Sequence, residues 1–381
     1  WNDLRGKKSI GIIARHADTG ITEIAKPVGA VAAITPVTNP IVTPMSNAMF
    51  AVKGANAIII TPHHAAASSS AYTVRLINEA LAKIGAPKHL VQILDVQSRE
   101  NTRLLISRAD TVVATGGAGL VKAAYSSGKP ALGVGAGNVQ CIVDSDVDLR
   151  TVVPMIVAGR AFDNGIICTG EQSVIAPRER FAELAKELEA AGAAVIEDEP
   201  RADAVRNALF DENGEMRRDP VGRSAYETAK AAGLDLPEST RVIAVVAKGP
   251  GREDVLSREK MCPVLSIFSY DDFREATDIA AQNLECDGKG HSVCIHSGNR
   301  EHIEYAALNL NVSRFVINQS SSTNAGGSFF NGLAATNTLG CGSWGGNSIS
   351  ENLTWKHLVN ISRIADCMPD NPVPSDEELW G

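Results

Sequence analysis

The stretch AIIITPHHAAASSSAYTVRLINEALAKIGAPKHLVQIL, residues 57–94, holds the pattern from which the rest of the chain is read. AIIIT (57–61) is an unbroken apolar run, as expected of a strand covered on both faces. Residues 65–84 carry apolar positions at helical spacing, and LVQIL (90–94) reads as the next strand. Strand, helix, strand predicts parallel strands joined by a covering helix. Working outward, VGAVAAIT (28–35) is another buried strand, ended by Pro36, and TNPIVTPMSNAMFAVKGAN carries a helix after a loop. TVVAT (111–115) runs into the glycine turn GGAG (116–119) and a helix from Leu120. KSIGIIA (8–14) and ITEIAKPV (21–28) flank a polar turn, His16 to Gly20, and predict a hairpin.

The alternation runs to about Asp146 and then restarts. A helix over 148–163 leads into GIICTGEQSVIA, and a helix over 178–192 follows. Residues 199–220 are charged and turn-rich and read as surface. Strands at 241–247 and 264–269 and helices at 271–283 and 299–309 continue the unit. Glycine and serine dominate from Ser320 to Ser350, and 354–365 is a last strand-like segment. The expected fold class is α/β, with two doubly wound units and a small hairpin.

Composition bounds the function. The chain has 381 residues, 44% hydrophobic and 21% charged, enough for two or three domains. Its net charge of −8, with no long basic run, argues against nucleic-acid binding. No long uninterrupted apolar stretch predicts a membrane span, and no secretory leader is visible, although the chain opens at Trp1. Cysteines stand at 141, 168, 262, 286, 294, 341 and 367 with no CxxC pair, which speaks against a zinc site or a disulfide framework. Reduced thiols in a cytoplasmic enzyme are the expectation.

One thiol is set apart. Cys168, in FDNGIICTGEQS, follows the apolar pair Ile166–Ile167 and is bracketed by Gly165 and Gly170. Glycine on both sides allows close approach of backbone to a substrate, and nearby backbone N–H groups raise the thiolate fraction of a thiol. A buried structural cysteine is the alternative reading.

The run FDNGIICTGEQS resembles the nucleophile segment of the CoA-acylating aldehyde dehydrogenases. So do TPVTNPIVTPMSNAMFAVKGANAIIITPHH, ATGGAGLVKAAYSSGKPALGVGAGN, EKMCPVLSIF and NTLGCGSWGGNSISENLTWKHL, in the family's order, from about Lys8 to Ala365. The resemblance implies an aldehyde dehydrogenase-like fold: a Rossmann-like cofactor domain over 1–136 with an oligomerisation hairpin at 8–28, a catalytic domain over 137–350, and a C-terminal oligomerisation segment over 351–381. It also implies further helical residues before the position of Trp1 in family members, and a homodimer or homotetramer.

By the same resemblance Cys168 is the nucleophile, and Asn39 in TPVTNP supplies an oxyanion donor. Taken alone, Asn39 before Pro40 is also a common turn starter. Thr61, Pro62 and His63 match the strand end beside the adenosine ribose. Thr115, Gly116 and Gly117 match the turn under the pyrophosphate. Glu259 in EKMCPV matches the residue that holds the nicotinamide ribose, and otherwise reads as a solvated carboxylate. His291 matches a histidine of the acylating group, placed near the thioester and CoA. Arg160 and the hydroxyl-rich loop Ser320–Ser321–Ser322–Thr323, Ser320 and Ser321 first, are candidate contacts for an anionic substrate end, a solvated loop being the alternative for the serines.

Hydrolytic relatives carry a water-activating Glu where this chain has Val134, in GVGAGN. Valine accepts no proton, whereas a thiol acceptor needs little help near neutral pH. The implied reaction takes an aldehyde, CoA and NAD or NADP to an acyl-CoA, with sulfoacetaldehyde or succinate semialdehyde as leading substrates. Acetaldehyde or propionaldehyde, a hydrolytic or phosphate-dependent enzyme, and a non-catalytic assembly protein are the alternatives.

Overall fold

The computed structural model describes residues 1–381, the side chain of Ala118 set aside. The hairpin is formed by β1 (Gly11–His16) and β2 (Ile21–Pro27), antiparallel around a tight turn. The first doubly wound unit holds β3 (Ala30–Thr35), α1 (Val42–Lys53), β4 (Ala57–Pro62), α2 (Ala67–Lys83), β5 (Val91–Ile93), α3 (Arg99–Arg108), β6 (Thr111–Thr115), α4 (Ala118–Tyr125) and β7 (Ala131–Val134). Its five strands are parallel in the order β5-β4-β3-β6-β7. The order reverses beside β3, so the loops after β3 and β6 flank the crevice where such sheets take ligands.

The second unit holds β8 (Val139–Val143), α5 (Leu149–Ala161), β9 (Glu171–Pro177), α6 (Phe181–Ala190), β10 (Ala193–Ile196), α7 (Glu199–Leu209), α8 (Ala225–Ala231), β11 (Val242–Val246), β12 (Val264–Tyr270), α9 (Phe273–Cys286), β13 (Gly290–His296), α10 (Arg300–Asn309) and β14 (Val312–Ile317). Seven parallel strands run in the order β10-β11-β12-β9-β8-β13-β14. β9 is buried along its whole length, and so is β13, as befits strands covered on both faces.

One expectation is corrected. Residues 199–209 are not surface turns but α7, capped by Asp198, with Ala202, Val205 and Leu209 packed into a core with Phe210 and Leu256. Its charges face outward, and the inward Arg206 is neutralised by Asp254. The strand-like tail segment is a strand that returns to the hairpin. β15 (Val359–Ala365) pairs antiparallel with β2, and Leu353, Trp355 and Leu358 pack into the core of the first unit. Among the described residues no helix is long and apolar enough to cross a membrane.

Asn56 locks this return of the chain. Its side chain accepts from the Gly29 N–H at 2.9 Å and donates to the carbonyls of Ala51 at 3.2 Å and Leu358 at 2.8 Å. Asn56→Ala leaves these buried groups unpaired and is expected to cost about 2–3 kcal/mol, read from urea unfolding midpoints at unchanged m-value.

Candidate active site

α5 ends at Ala161, and the chain reaches β9 through a sharp passage. Asp163, Asn164 and Gly165 all have positive φ, of 50°, 49° and 70°. Two successive non-glycine residues in that region store strain, which persists only where surroundings hold it. They are held: Asn164 Nδ2 donates to the Gly222 carbonyl, and a side chain at 165 would meet the Cys262 carbonyl within 2.6 Å. The Gly170 N–H then donates to the Ile167 carbonyl at 3.0 Å, which closes a turn with Cys168 in it. The bracketing glycines thus make room for the protein's own backbone, not for a substrate.

The turn is clamped from behind. Gln172 Oε1 accepts from the Lys260 N–H at 2.9 Å and its Nε2 donates to the Lys260 carbonyl at 3.2 Å. Arg160, fully buried, donates to the carbonyls of Lys260 and Cys262. Arg160, expected to meet an anionic substrate end, lies outside the cavity wall and fastens EKMCPV beneath the Cys168 turn. The crossover from β7 to β8 passes in front. A Cβ at Gly137 would overlap the Cys168 carbonyl oxygen, and the Gly137 N–H donates to Glu259 Oε1 at 3.3 Å.

Cys168 lines a cavity of about 260 Å³ together with Asn39, Thr169, Ser322, Thr323, Thr336 and Asn337. Among the described residues the side chains of Asn39 and Asn337 have no hydrogen-bond partner, so their amides are free for a ligand. The serine run divides between two tasks. Ser320 Oγ and the Ser321 N–H both serve buried Glu171, while Ser322 and Thr323 face the cavity. Sequence reading missed Thr336 and Asn337, which lie in the irregular glycine-rich segment where no periodicity points inward. Thr169 Oγ1 donates to the Ser322 carbonyl and fixes that wall to the nucleophile turn.

Electrostatics keep the resting thiol neutral. Burial, with the charge of Glu259, pushes Cys168 up to about 12. Burial raises the Glu259 carboxyl to about 7. His291 is buried and pushed down to about 3 by burial and by Arg314, and its Nδ1 has no partner among the described residues. It is not in the cavity wall, and so low a value makes it a neutral hydrogen-bonding group, not a proton carrier near pH 7.

At the carboxyl edge of the first sheet, β3, β4 and β6 end together at Thr35, Pro62 and Thr115. The Thr61 hydroxyl is shared with Thr102 at 3.4 Å, so this edge offers Pro62 and the exposed His63. The Thr115 hydroxyl contacts that of Thr338 at 3.3 Å, which joins the glycine turn to the wall of the Cys168 cavity. A Cβ at Gly117 or Gly119 would meet nothing within 4 Å, so open space lies over the start of α4. A pyrophosphate fits there, at a helix N-terminus.

Spacing alone also missed a compact buried group, Cys141, Cys294 and His296, whose donor atoms lie within 4.8 Å of one another. Cys294 already donates to the Gln319 carbonyl and contacts His296.

A cysteine in a rigid turn, facing a small polar cavity beside the switch point of a doubly wound sheet, defines a thiol-dependent oxidoreductase. The model of the family described as "Aldehyde dehydrogenase family" matches residues 3–358. The succinate-semialdehyde dehydrogenase (acetylating) of Clostridium kluyveri is 51% identical over 381 residues, covering 100% of this chain and 84% of that protein. The sulfoacetaldehyde dehydrogenase (acylating) of Bilophila wadsworthia is 37% identical over 385 residues, covering 100% and 82%. The crystal structure of an acetylating aldehyde dehydrogenase from Geobacillus thermoglucosidasius superposes with a TM-score of 0.93 at 35% identity, covering 98% of this chain and 82% of that one. The chain belongs to the aldehyde dehydrogenase family, in its CoA-acylating branch.

Gly137→Ala should displace the nucleophile turn and lower kcat/KM by about 100-fold, with circular dichroism unchanged. Glu259 gives a pH signature. Its folded value, about 7, lies above the ordinary 4.5, so its support of the fold is complete below pH 4.5 and lost as pH rises through 7. Glu259→Gln should flatten the fall in urea midpoint across that window.

Proposed function

We propose that the enzyme oxidises a short aldehyde with an anionic end, succinate semialdehyde or sulfoacetaldehyde, to its acyl-CoA. The observation that supports this reading most is the cavity at Cys168, where hydroxyls, amides and the backbone of Gly326 and Gly327 stand among Ile167, Ala335 and Leu339, with no carboxylate in its wall. Neutral donors suit a carboxylate or sulfonate tail. Full-length identity to relatives named for those two aldehydes points the same way.

Cys168 Sγ, deprotonated, adds to the aldehyde carbon, and the carbonyl oxygen takes the negative charge. The Asn39 amide and the Cys168 N–H donate to it, worth more in a dry site than in water. NAD or NADP, when bound, supplies the hydride acceptor. Glu259 would hold its ribose, Thr115, Gly116 and Gly117 its pyrophosphate, and Thr61, Pro62 and His63 would flank its adenosine ribose. Loss of hydride from carbon leaves an acyl thioester on Cys168. The CoA thiolate then attacks that carbonyl and Cys168 leaves as thiolate, with buried His291 as an uncharged partner near the thioester.

Val134 ends β7 as a buried apolar residue that can activate no water. The sheet β1-β2-β15 leaves both of its edge strands free, and we assign to it the contact of a cytoplasmic homodimer or homotetramer.

Incubation with succinate semialdehyde and oxidised cofactor, without CoA, should leave the acyl mass on the Cys168 peptide. Added CoA should discharge it, and Cys168→Ala should show neither event. In a panel, the two anionic aldehydes should exceed acetaldehyde in kcat/KM. Cofactor reduction indifferent to CoA would overturn the acyl-transfer reading, and preference for acetaldehyde would overturn the substrate class.

A further inference from the structure

The polar groups in the wall of the Cys168 cavity divide by what they already bind. Thr169 Oγ1 donates to the Ser322 carbonyl at 2.9 Å, and Ser322 Oγ is paired with Ser320 Oγ at 2.9 Å. Thr336 Oγ1 accepts from the Thr338 N–H at 3.1 Å and donates to the Thr338 carbonyl at 3.4 Å. These hydroxyls hold the wall together and have no proton to spare. Thr323 Oγ1 only accepts, from Asn324 Nδ2 at 3.1 Å, so its own proton is free. Among the described residues the side-chain amides of Asn39 and Asn337 make no hydrogen bond. Uncommitted donors therefore remain on Asn39, Asn337 and Thr323.

Asn39 has its task, because with the Cys168 N–H it makes the pair of donors that meets the oxyanion. Asn337 and Thr323 are left over, and both are tied to the nucleophile turn. Asn337 stands two residues before Leu339, which packs against Cys168, so its backbone lies within about 7 Å of that contact. Thr323 follows Ser322, whose carbonyl is bound by Thr169, the residue after the nucleophile. Among the described residues no lysine or arginine lines the cavity. An anionic end entering it depends on neutral donors, which bind a charged acceptor about twice as strongly as a neutral one. An uncharged tail leaves the same donors facing carbon, which weakens binding.

We propose that Asn337 determines the substrate class, its amide N–H groups and the Thr323 hydroxyl receiving the carboxylate or sulfonate end of the aldehyde while Asn39 serves the reacting carbonyl. This inference rests on the anionic-aldehyde reading and names the residues that carry it out.

The test compares kcat/KM for succinate semialdehyde with that for pentanal, an uncharged aldehyde of similar length, and sulfoacetaldehyde with propanal, in wild type, Asn337→Ala, Asn337→Asp and Thr323→Val. The effect is read on whichever anionic aldehyde the wild type prefers. Asn337→Asp keeps the shape of the side chain, and so keeps the test open should Asn337→Ala fail to fold. The charged-to-uncharged ratio should fall about tenfold in Asn337→Ala and about a hundredfold in Asn337→Asp, where like charges meet. The loss should lie in KM, with kcat/KM for the uncharged aldehyde within about twofold of wild type. Thr323→Val should lower the ratio several-fold. Equal losses for charged and uncharged aldehydes, which an oxyanion donor or a fold defect predicts, would overturn the proposal. So would a ratio unmoved in Asn337→Asp. Failure of the underlying reading is distinct: the wild type would then itself show no preference for the charged aldehydes.

Discussion

The carbonyl of Cys168 occupies the place a side chain would need at position 137. That crossing joins the two units of the fold, because Gly137 lies on the link from β7 of the first sheet to β8 of the second. The same glycine offers its N–H to Glu259. The Cys168 turn, the link between the two units and the Glu259 carboxylate are therefore held by one residue without a Cβ. The strained passage at Asp163 and Asn164 makes sense against this contact. The chain must leave α5, turn beneath the crossover and enter β9 in register with β8 and β12, and few backbone paths do so.

The parts of the fold that could be read in the sequence are those whose burial is one-dimensional. AIIIT and TVVAT announce themselves because both faces are covered, so apolar residues run on without alternation. α7 was hidden because its buried positions are Ala and Val set among charges, with Arg206 turned inward and neutralised only in three dimensions. β13 was hidden for the opposite reason: GHSVCIH places two histidines and a serine on a wholly buried strand, against the usual residue preference.

The site followed the same division. Cys168, Asn39 and Glu259 lie in short runs whose residue types constrain one another, and the fold brings the first two to one cavity. Arg160 misled because a cation eight residues before a nucleophile in the sequence says nothing about which side of the turn it occupies. Its fork ends on the carbonyls of Lys260 and Cys262. Within the hydroxyl-rich loop the sequence could not say which members face inward: Glu171 takes Ser320 and the Ser321 N–H, while Ser322 and Thr323 line the cavity.

The choice between water and a thiol as acyl acceptor follows from where ionisable groups are absent. Water needs a base beside the thioester, because its own ionisation is negligible near neutrality. The cavity wall holds hydroxyls and amides, β7 closes on Val134, and His291 is held too low to take a proton. Glu259 is the carboxyl whose charge reaches Cys168, but it lies outside the cavity wall, with Oε1 on the Gly137 N–H. A thiol brings its own partial ionisation to the same site. A pocket that keeps its resting cysteine protonated and lacks a base for water is thus a poor hydrolase and a serviceable thiol transferase.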